Sequence, residues 1–334
     1  MASAYQAARE RAAFLDRSAR GRLVLTGQDR ATYLQGLLTN DIAALTAGHG
    51  CYAAYLTPQG RMIADLWVYE LGDLILLDLA GEVKPAVLAK LEQFIFSEDV
   101  QLGDVTDTFG QIAVVGPRAA DLLSSWLEES TGLLGALPEH GNMRAAMDGH
   151  PVIVARVSDT GEPGFDVYVE REHVMAFKAR LTSAGIVEAD AESAEALRIE
   201  SGIPVFHADM DEETIPLEAG IESRAISTTK GCYVGQEVII RVLHRGHGRV
   251  AKRLVGLLLE GESVPARGAL VRARDREIGR VTSAVRSPAL ARPIALGYVH
   301  RDFTAPGTAV SVEGVFATVA ELPFVAREVR ERQV

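Results

Sequence analysis

The run Lys230-Gly231-Cys232-Tyr233-Val234-Gly235-Gln236-Glu237 is the most informative stretch of this chain. Two glycines bracket a thiol, a phenol, an amide and a carboxyl group. Glycine admits positive φ and lets a backbone approach a ligand closely. Lys230, two residues before Cys232, would favour the thiolate if the fold brought its ammonium beside the sulfur. Such a thiolate could attack an electrophile, ligate a metal transiently or sense oxidation. The same residues also read as a tight turn leading into a strand over Val238–Val242, with Cys232 a small buried hydrophobe. Other chemistries find no pattern. There is no Gly-rich phosphate loop of Walker or Rossmann type, and Gly246-His247-Gly248 is too short to count. His207, His244 and His247 do not combine with the cysteines at zinc-site spacing, so no metal ligands are expected.

Around this run the periodicities define the scaffold. Asp29–Leu38 places Tyr33, Leu34, Leu37 and Leu38 at helical spacing. Cys51–Leu56 and Met62–Leu71 read as strands joined by a turn at Thr57-Pro58-Gln59-Gly60-Arg61, with Leu74–Leu79 a third strand. Helices are expected over Val83–Phe96, Ala119–Leu127, Glu172–Ala184 and Ala191–Glu200, and a strand over Gln111–Val115. Val152–Val157 and Phe165–Val169 form a hairpin, and residues 131–149 read as a loop. From Leu254 onward, short strands alternate with turns: Leu254–Leu259, Leu270–Val271, Glu277–Ser283, Ile294–Tyr298, Ala309–Val312 and Val315–Val319. That spacing suggests a small barrel or sandwich, so an α+β body precedes an all-β module.

Composition narrows the class. The 334 residues suffice for two or three domains with substantial cores. A net charge of −11 argues against non-specific nucleic-acid binding. The charge is divided: residues 238–334 hold 16 basic and 9 acidic side chains, the remainder 18 and 36. The basic part is either a solvated face or a rim for an anionic ligand. With two cysteines no stapled framework is expected, and no segment has the roughly 20 apolar residues of a membrane span. Met1–Leu15 lacks a signal-type apolar run, so a cytoplasmic protein with free thiols and no membrane partner is expected.

The Lys230–Glu237 run resembles, residue for residue, the Lys-Gly-Cys-Tyr-x-Gly-Gln-Glu signature of the YgfZ family of folate-binding proteins that maintain iron–sulfur enzymes. Arg241 and Arg245-Gly246 are similar to its continuation. Leu197-Arg198-Ile199-Glu200-Ser201-Gly202, with Asp209, Pro216 and Glu218, resembles a segment shared by that family and the aminomethyltransferase (T-protein) of glycine cleavage. Leu37-Leu38-Thr39-Asn40-Asp41 is similar to both, and Gly279-Arg280-Val281-Thr282-Ser283 through Val299 resembles the T-protein barrel.

The resemblance implies a GcvT/YgfZ-like three-part ring, two α+β lobes plus a C-terminal β-barrel, around a folate. Its lobes would be 1–48 with 145–246, an inserted 49–144, and the barrel 247–334. It implies that Glu200 grips the pterin, since a carboxylate accepts two hydrogen bonds from the amino group and ring N–H. It implies that Asp65, in Gly60-Arg61-Met62-Ile63-Ala64-Asp65-Leu66, is the catalytic aspartate, although the preceding position, acidic in T-proteins, is Ala64 here. Without the resemblance, Glu200 and Asp65 read as an exposed helix-end and an outward strand carboxylate. Cys232 joins Asp65 as a catalytic candidate at the mouth of the folate opening. Lys230, Tyr233, Gln236 and Arg267 join Asp65 and Glu200 as binding candidates. The implied ligand is tetrahydrofolate or a one-carbon derivative, and the implied partners are iron–sulfur client proteins. The alternative is a folate-dependent aminomethyltransferase acting on a lipoyl carrier, and Cys232, generally absent from T-proteins, discriminates the two.

Overall fold

Alternation of buried and part-exposed residues along Met62–Glu70 decides which side chains face inward. Met62, Ala64, Leu66 and Val68 are buried on one face, so Ile63, Asp65 and Trp67 must share the other. The computed structural model, which describes residues 3–128, 133–245 and 248–326, builds this strand into a five-stranded antiparallel sheet. Its order is His49–Leu56, Met62–Glu70, Ile75–Leu79, Gly21–Thr26, Gln101–Asp104. Helices Arg30–Leu37 and Lys84–Glu92, together with side chains between Phe206 and Val250, close its apolar core.

A seven-stranded sheet runs Val187–Glu188, Ala13–Asp16, Phe109–Val115, Gly164–Glu170, His150–Arg156, Asn142–Met147, Leu127–Glu128. Only its first pair is parallel. Helices Ala119–Ser124 and Val174–Ser183 cover it. The third unit is a closed barrel in the order Lys252–Leu259, Arg292–His300, Arg276–Ser287, Leu270–Ala273, Ala309–Val312, Val315–Ala320. The α+β body and the C-terminal barrel are therefore as expected.

The lobe boundaries are corrected. Gly21–Thr26 pairs with Ile75–Leu79, so the division at 48/49 would split one sheet. The division at 144/145 falls inside strand Asn142–Met147. The two sheets interleave in sequence, because strand pairing obeys cross-strand burial and not chain order.

Three local expectations also change. The expected loop over 131–149, of which 131 and 132 lie outside the described residues, contains helix Leu133–Ala136 and strand Asn142–Met147. Ala119–Leu127 stops being helical at Ser124. The strand over Val238–Val242 is absent: Gly235, at φ 84°, is the N-cap of helix Gln236–Ile240, which runs on into a π-helical turn, Arg241–Arg245. Gly246 and His247 lie outside the described residues. Ala191–Glu200 is a helix as expected, with the Asp190 side chain accepting from Ser193 N at 2.7 Å.

Candidate functional site

A cavity of about 570 Å³ opens where the two sheets meet helix Ala191–Glu200. The alternation described above delivers Asp65 and Trp67 to its wall, and register places Tyr52 directly opposite Trp67. The Tyr52 and Trp67 rings lie 5.9 Å apart at 45°. Tyr52 Oη donates to Asp65 Oδ2 at 2.6 Å. Burial pushes the Asp65 carboxyl above the ordinary carboxylate range, against the opposing pull of Tyr52, Arg20 and Arg224. Burial also pushes the Tyr52 phenol well up, so it stays a donor at neutral pH.

Cations sit behind and beside this wall. Arg20 stacks over Trp67 at 4.3 Å and donates through Nε to Asp78 Oδ1 at 2.5 Å. Asp78 is fully buried and also accepts from Gln111 Nε2 and Tyr168 Oη, both at 2.6 Å. Arg17 reaches Asp159 at 2.7 Å and Asp166 at 3.2 Å. Burial pushes Asp166 up to about 6, opposed by Arg17. Arg224 lies over Tyr52 at 5.3 Å and is exposed.

The facing wall comes from helix Ala191–Glu200 and the chain after it: Ala194, Glu195, Arg198, then Ile203–Phe206. Arg198 grips Glu195 through Nε at 3.0 Å and Nη2 at 2.6 Å. Arg198 is itself anchored to Asp209 Oδ2 at 2.6 Å and to the barrel's Ser283 Oγ at 2.9 Å.

Among the candidates read from sequence, Asp65 alone lines this cavity. Glu200 does not. Five residues on a helix turn through about 140° beyond a full circle, so Glu195 and Glu200 face different ways. The Glu200 carboxylate is fully buried and accepts from Tyr5 Oη at 2.6 Å, from Arg9 and Ser287, and from Ala289 N at 3.3 Å. Glu200→Gln is expected to lower unfolding free energy by about 1–3 kcal/mol, measured by urea denaturation, because those donors would face an amide. An unchanged midpoint would show that they do not need the charge.

Lys230 is also corrected. Its Nζ donates to the carbonyls of Gln35, Leu38 and Asn40, each at 2.7 Å, fastening the C-terminal end of helix Arg30–Leu37. Burial draws it down to about 8. Its donors are thus engaged by backbone carbonyls. Tyr233 is buried in the core of the five-stranded sheet, and Gln236 opens the short helix outside the cavity. Cys232 is exposed but is not one of the lining residues. Arg267, also exposed, donates to His207 O at 2.6 Å and is no part of the wall. The cations that do line it, Arg17, Arg20, Arg198 and Arg224, all precede the basic C-terminal part.

Sequence reading missed Tyr52, Trp67, Arg20, His140, Glu195, Arg198 and Arg224. Two had a signal. Trp67 lies two residues from Asp65 on one strand, and Glu195 precedes Arg198 at ion-pair spacing.

Residues 1–230 match the GCVT N-terminal domain, and residues 252–325 the glycine cleavage T-protein C-terminal barrel domain. The chain belongs to the GcvT family. The barrel match coincides with the closed six-stranded unit. Similar members include an aminomethyltransferase of Rubrobacter xylanophilus, 33% identical over 326 residues, 97% of this chain and 86% of that protein. One of Streptomyces coelicolor is 30% identical over 332 residues, 96% of this chain and 88% of that protein. The glycine cleavage system aminomethyltransferase T from Bartonella henselae superposes with a TM-score of 0.84 at 23% identity, covering 96% of this chain and 88% of that one. That likeness shows the GcvT fold, two α+β lobes and a β-barrel. Among the described residues, no helix is long and apolar enough to cross a membrane.

Proposed function

We propose that this GcvT-family chain binds a reduced folate in the cavity and transfers an aminomethyl-derived one-carbon unit beside Asp65. The observation that carries this reading is a carboxyl group of raised proton affinity, held by a phenol, on the wall of a cavity of ligand size. A carboxylate so placed can take the proton that leaves a folate nitrogen as its new bond to carbon forms. Glu195, oriented by Arg198, replaces Glu200 as the group that accepts from a pterin amino group and ring N–H. Trp67 and Phe206 offer apolar faces to a flat ring, and exposed Arg224 offers a cation to the ligand's carboxylates. Tetrahydrofolate should bind with Kd of about 1 μM, or about −8 kcal/mol. Glu195→Gln should weaken binding by about 1–3 kcal/mol without changing the urea midpoint. Calorimetry showing no heat on folded wild-type protein would overturn the reading.

Two observations favour a second role for the chain, in maintaining iron–sulfur client enzymes. Cys232 is exposed within a complete match to the YgfZ signature, and buried Ala64 stands where T-proteins carry an acid. A lone thiolate does not hold a cluster, since clusters take about four cysteine ligands. Cys51 is no partner, because burial pushes its thiol up to about 12. The role left to Cys232 is transient thiol chemistry. In a deletion strain, the aminomethyltransferase reading expects loss of glycine cleavage alone, with full rescue by Cys232→Ser. Loss of several iron–sulfur enzymes, unrescued by Cys232→Ser, would establish the second reading instead.

A further inference from the structure

Between helix Leu133–Ala136 and strand Asn142–Met147 the chain delivers His140 to the cavity wall. Three features single it out. First, its backbone stands at φ 62°, a left-handed conformation that non-glycine residues seldom adopt. The conformation is held by His140 N donating to Arg156 O at 2.9 Å and by Arg156 N donating to Gly141 O at 2.8 Å. It is also held by close packing on the neighbouring strand, where a Cβ at Gly50 would meet His140 O at 2.7 Å. Strain of this kind survives only where its surroundings enforce it, and it gathers at functional sites. Second, His140 Nδ1 is buried without a hydrogen-bond partner. Third, a fixed carboxylate lies near that nitrogen. Glu139 Oε1 lies 4.0 Å away, and Glu139 is held by Ser158 N at 2.8 Å and Ser158 Oγ at 2.9 Å.

A carboxylate on the Nδ1 side favours the tautomer that carries its proton there. Nε2 then keeps a lone pair, and the ring stands part-buried in the cavity wall. Burial lowers the pKa of the imidazole below its ordinary value. Of the charged groups that face it, Glu139 and Asp159 oppose that shift and Arg224 reinforces it.

The chemistry proposed for this cavity calls for such a group. A methylene bridge between two N–H groups of a reduced folate forms two C–N bonds and releases two protons. The aminomethyl carrier loses its C–S and C–N bonds. One proton leaves with the departing amine and the other with the carrier thiol, and nothing is oxidised or reduced. Asp65 can accept one proton at a time. We infer that His140 is the second proton-handling residue of the cavity, accepting through Nε2 the proton that Asp65 does not take. The inference rests on the folate-dependent reading above.

The test combines spectroscopy with kinetics. Nitrogen-15 NMR of the histidine rings, assigned with His140→Asn, should show His140 neutral at pH 7 with its proton on Nδ1. The signal should move when 5-formyltetrahydrofolate is added. Asparagine tolerates the left-handed backbone, so the variant keeps the loop. His140→Asn should slow single-turnover use of 5,10-methylenetetrahydrofolate with ammonia and a small dithiol by at least about tenfold. It should also remove one limb of the pH profile, while tetrahydrofolate affinity stays within about threefold, roughly the change of a single weak contact. An unchanged rate and profile would overturn the inference, as would a ring protonated on Nε2 or charged at pH 7. Failure of the wild type to bind tetrahydrofolate would overturn the functional reading and this inference with it. Normal binding with a silent His140 would overturn this inference alone.

Discussion

Asp65→Asn should abolish one-carbon transfer and leave the fold intact. Asparagine keeps the shape and an oxygen for the Tyr52 hydroxyl, which donates to Asp65 at 2.6 Å. It removes the proton acceptor, and loss of a positioned general base lowers rates by about 10²–10⁴-fold. The wild-type pH profile should carry a matching signature. Asp65 must be ionised to act as a base, and burial raises its pKa. The rate should therefore rise with pH through a value above the ordinary carboxylate range, and the variant should lack that limb. Stability should move the opposite way. A carboxyl whose folded pKa lies above its unfolded value costs stability as pH rises from the unfolded pKa, and the full cost is present once pH passes the folded pKa. At neutral pH the asparagine variant should thus be at least as stable as wild type. A rate loss below about tenfold would remove Asp65 from the chemistry.

Asp78→Ala should be the most damaging single change to stability. Its carboxylate, on the five-stranded sheet, is fully buried and takes hydrogen bonds from Gln111 and Tyr168 of the seven-stranded sheet and from Arg20 in the turn before Gly21. Removal leaves a guanidinium half inside the protein without its counter-charge, a situation that costs about 3–5 kcal/mol. The cavity should suffer as well, because the Arg20 that stacks on Trp67 is positioned by this contact. Urea unfolding and the thermal midpoint measure the first effect, and tetrahydrofolate affinity the second. A loss below about 1 kcal/mol, the scale of an exposed pair, would mean that water already screens the site.

The hairpin at Met62–Glu70 and the barrel strands were legible because two-residue alternation is a local property, complete within each segment. The same alternation carries Asp65 to the cavity wall. The surroundings of Glu200 were not legible because motif similarity names a residue, whereas helical phase decides where it points; Glu195 faces the cavity and Glu200 the barrel. The partners of Lys230 were not legible because they are backbone carbonyls 190 to 195 residues away, and a carbonyl leaves no mark in a sequence. Ala13–Asp16 and Gly21–Thr26 were missed as short strands whose partners follow much later in the chain. The cavity wall is gathered from segments near residues 15–20, 52–67, 139–160, 194–206 and 224, so no local pattern could outline it.

The interleaving of the two sheets dictates an order of events on the ribosome. The strands of the five-stranded sheet are all synthesised by Asp104, yet its apolar face is covered by Phe206, Met210, Leu217, Ile221 and Ile239. About a hundred residues separate sheet from this part of its cover, so at bacterial and eukaryotic elongation speeds the nascent sheet waits roughly 5 to 20 seconds with only helices Arg30–Leu37 and Lys84–Glu92 to cover it. Ala13–Asp16 likewise waits for Val187–Glu188 to complete its edge. The Lys230 contact comes late, when the ammonium reaches back to the end of a helix made some 190 residues earlier. For this chain, topology sets the order of closure, and the Lys230–Glu237 loop is in effect a latch on a helix made long before it.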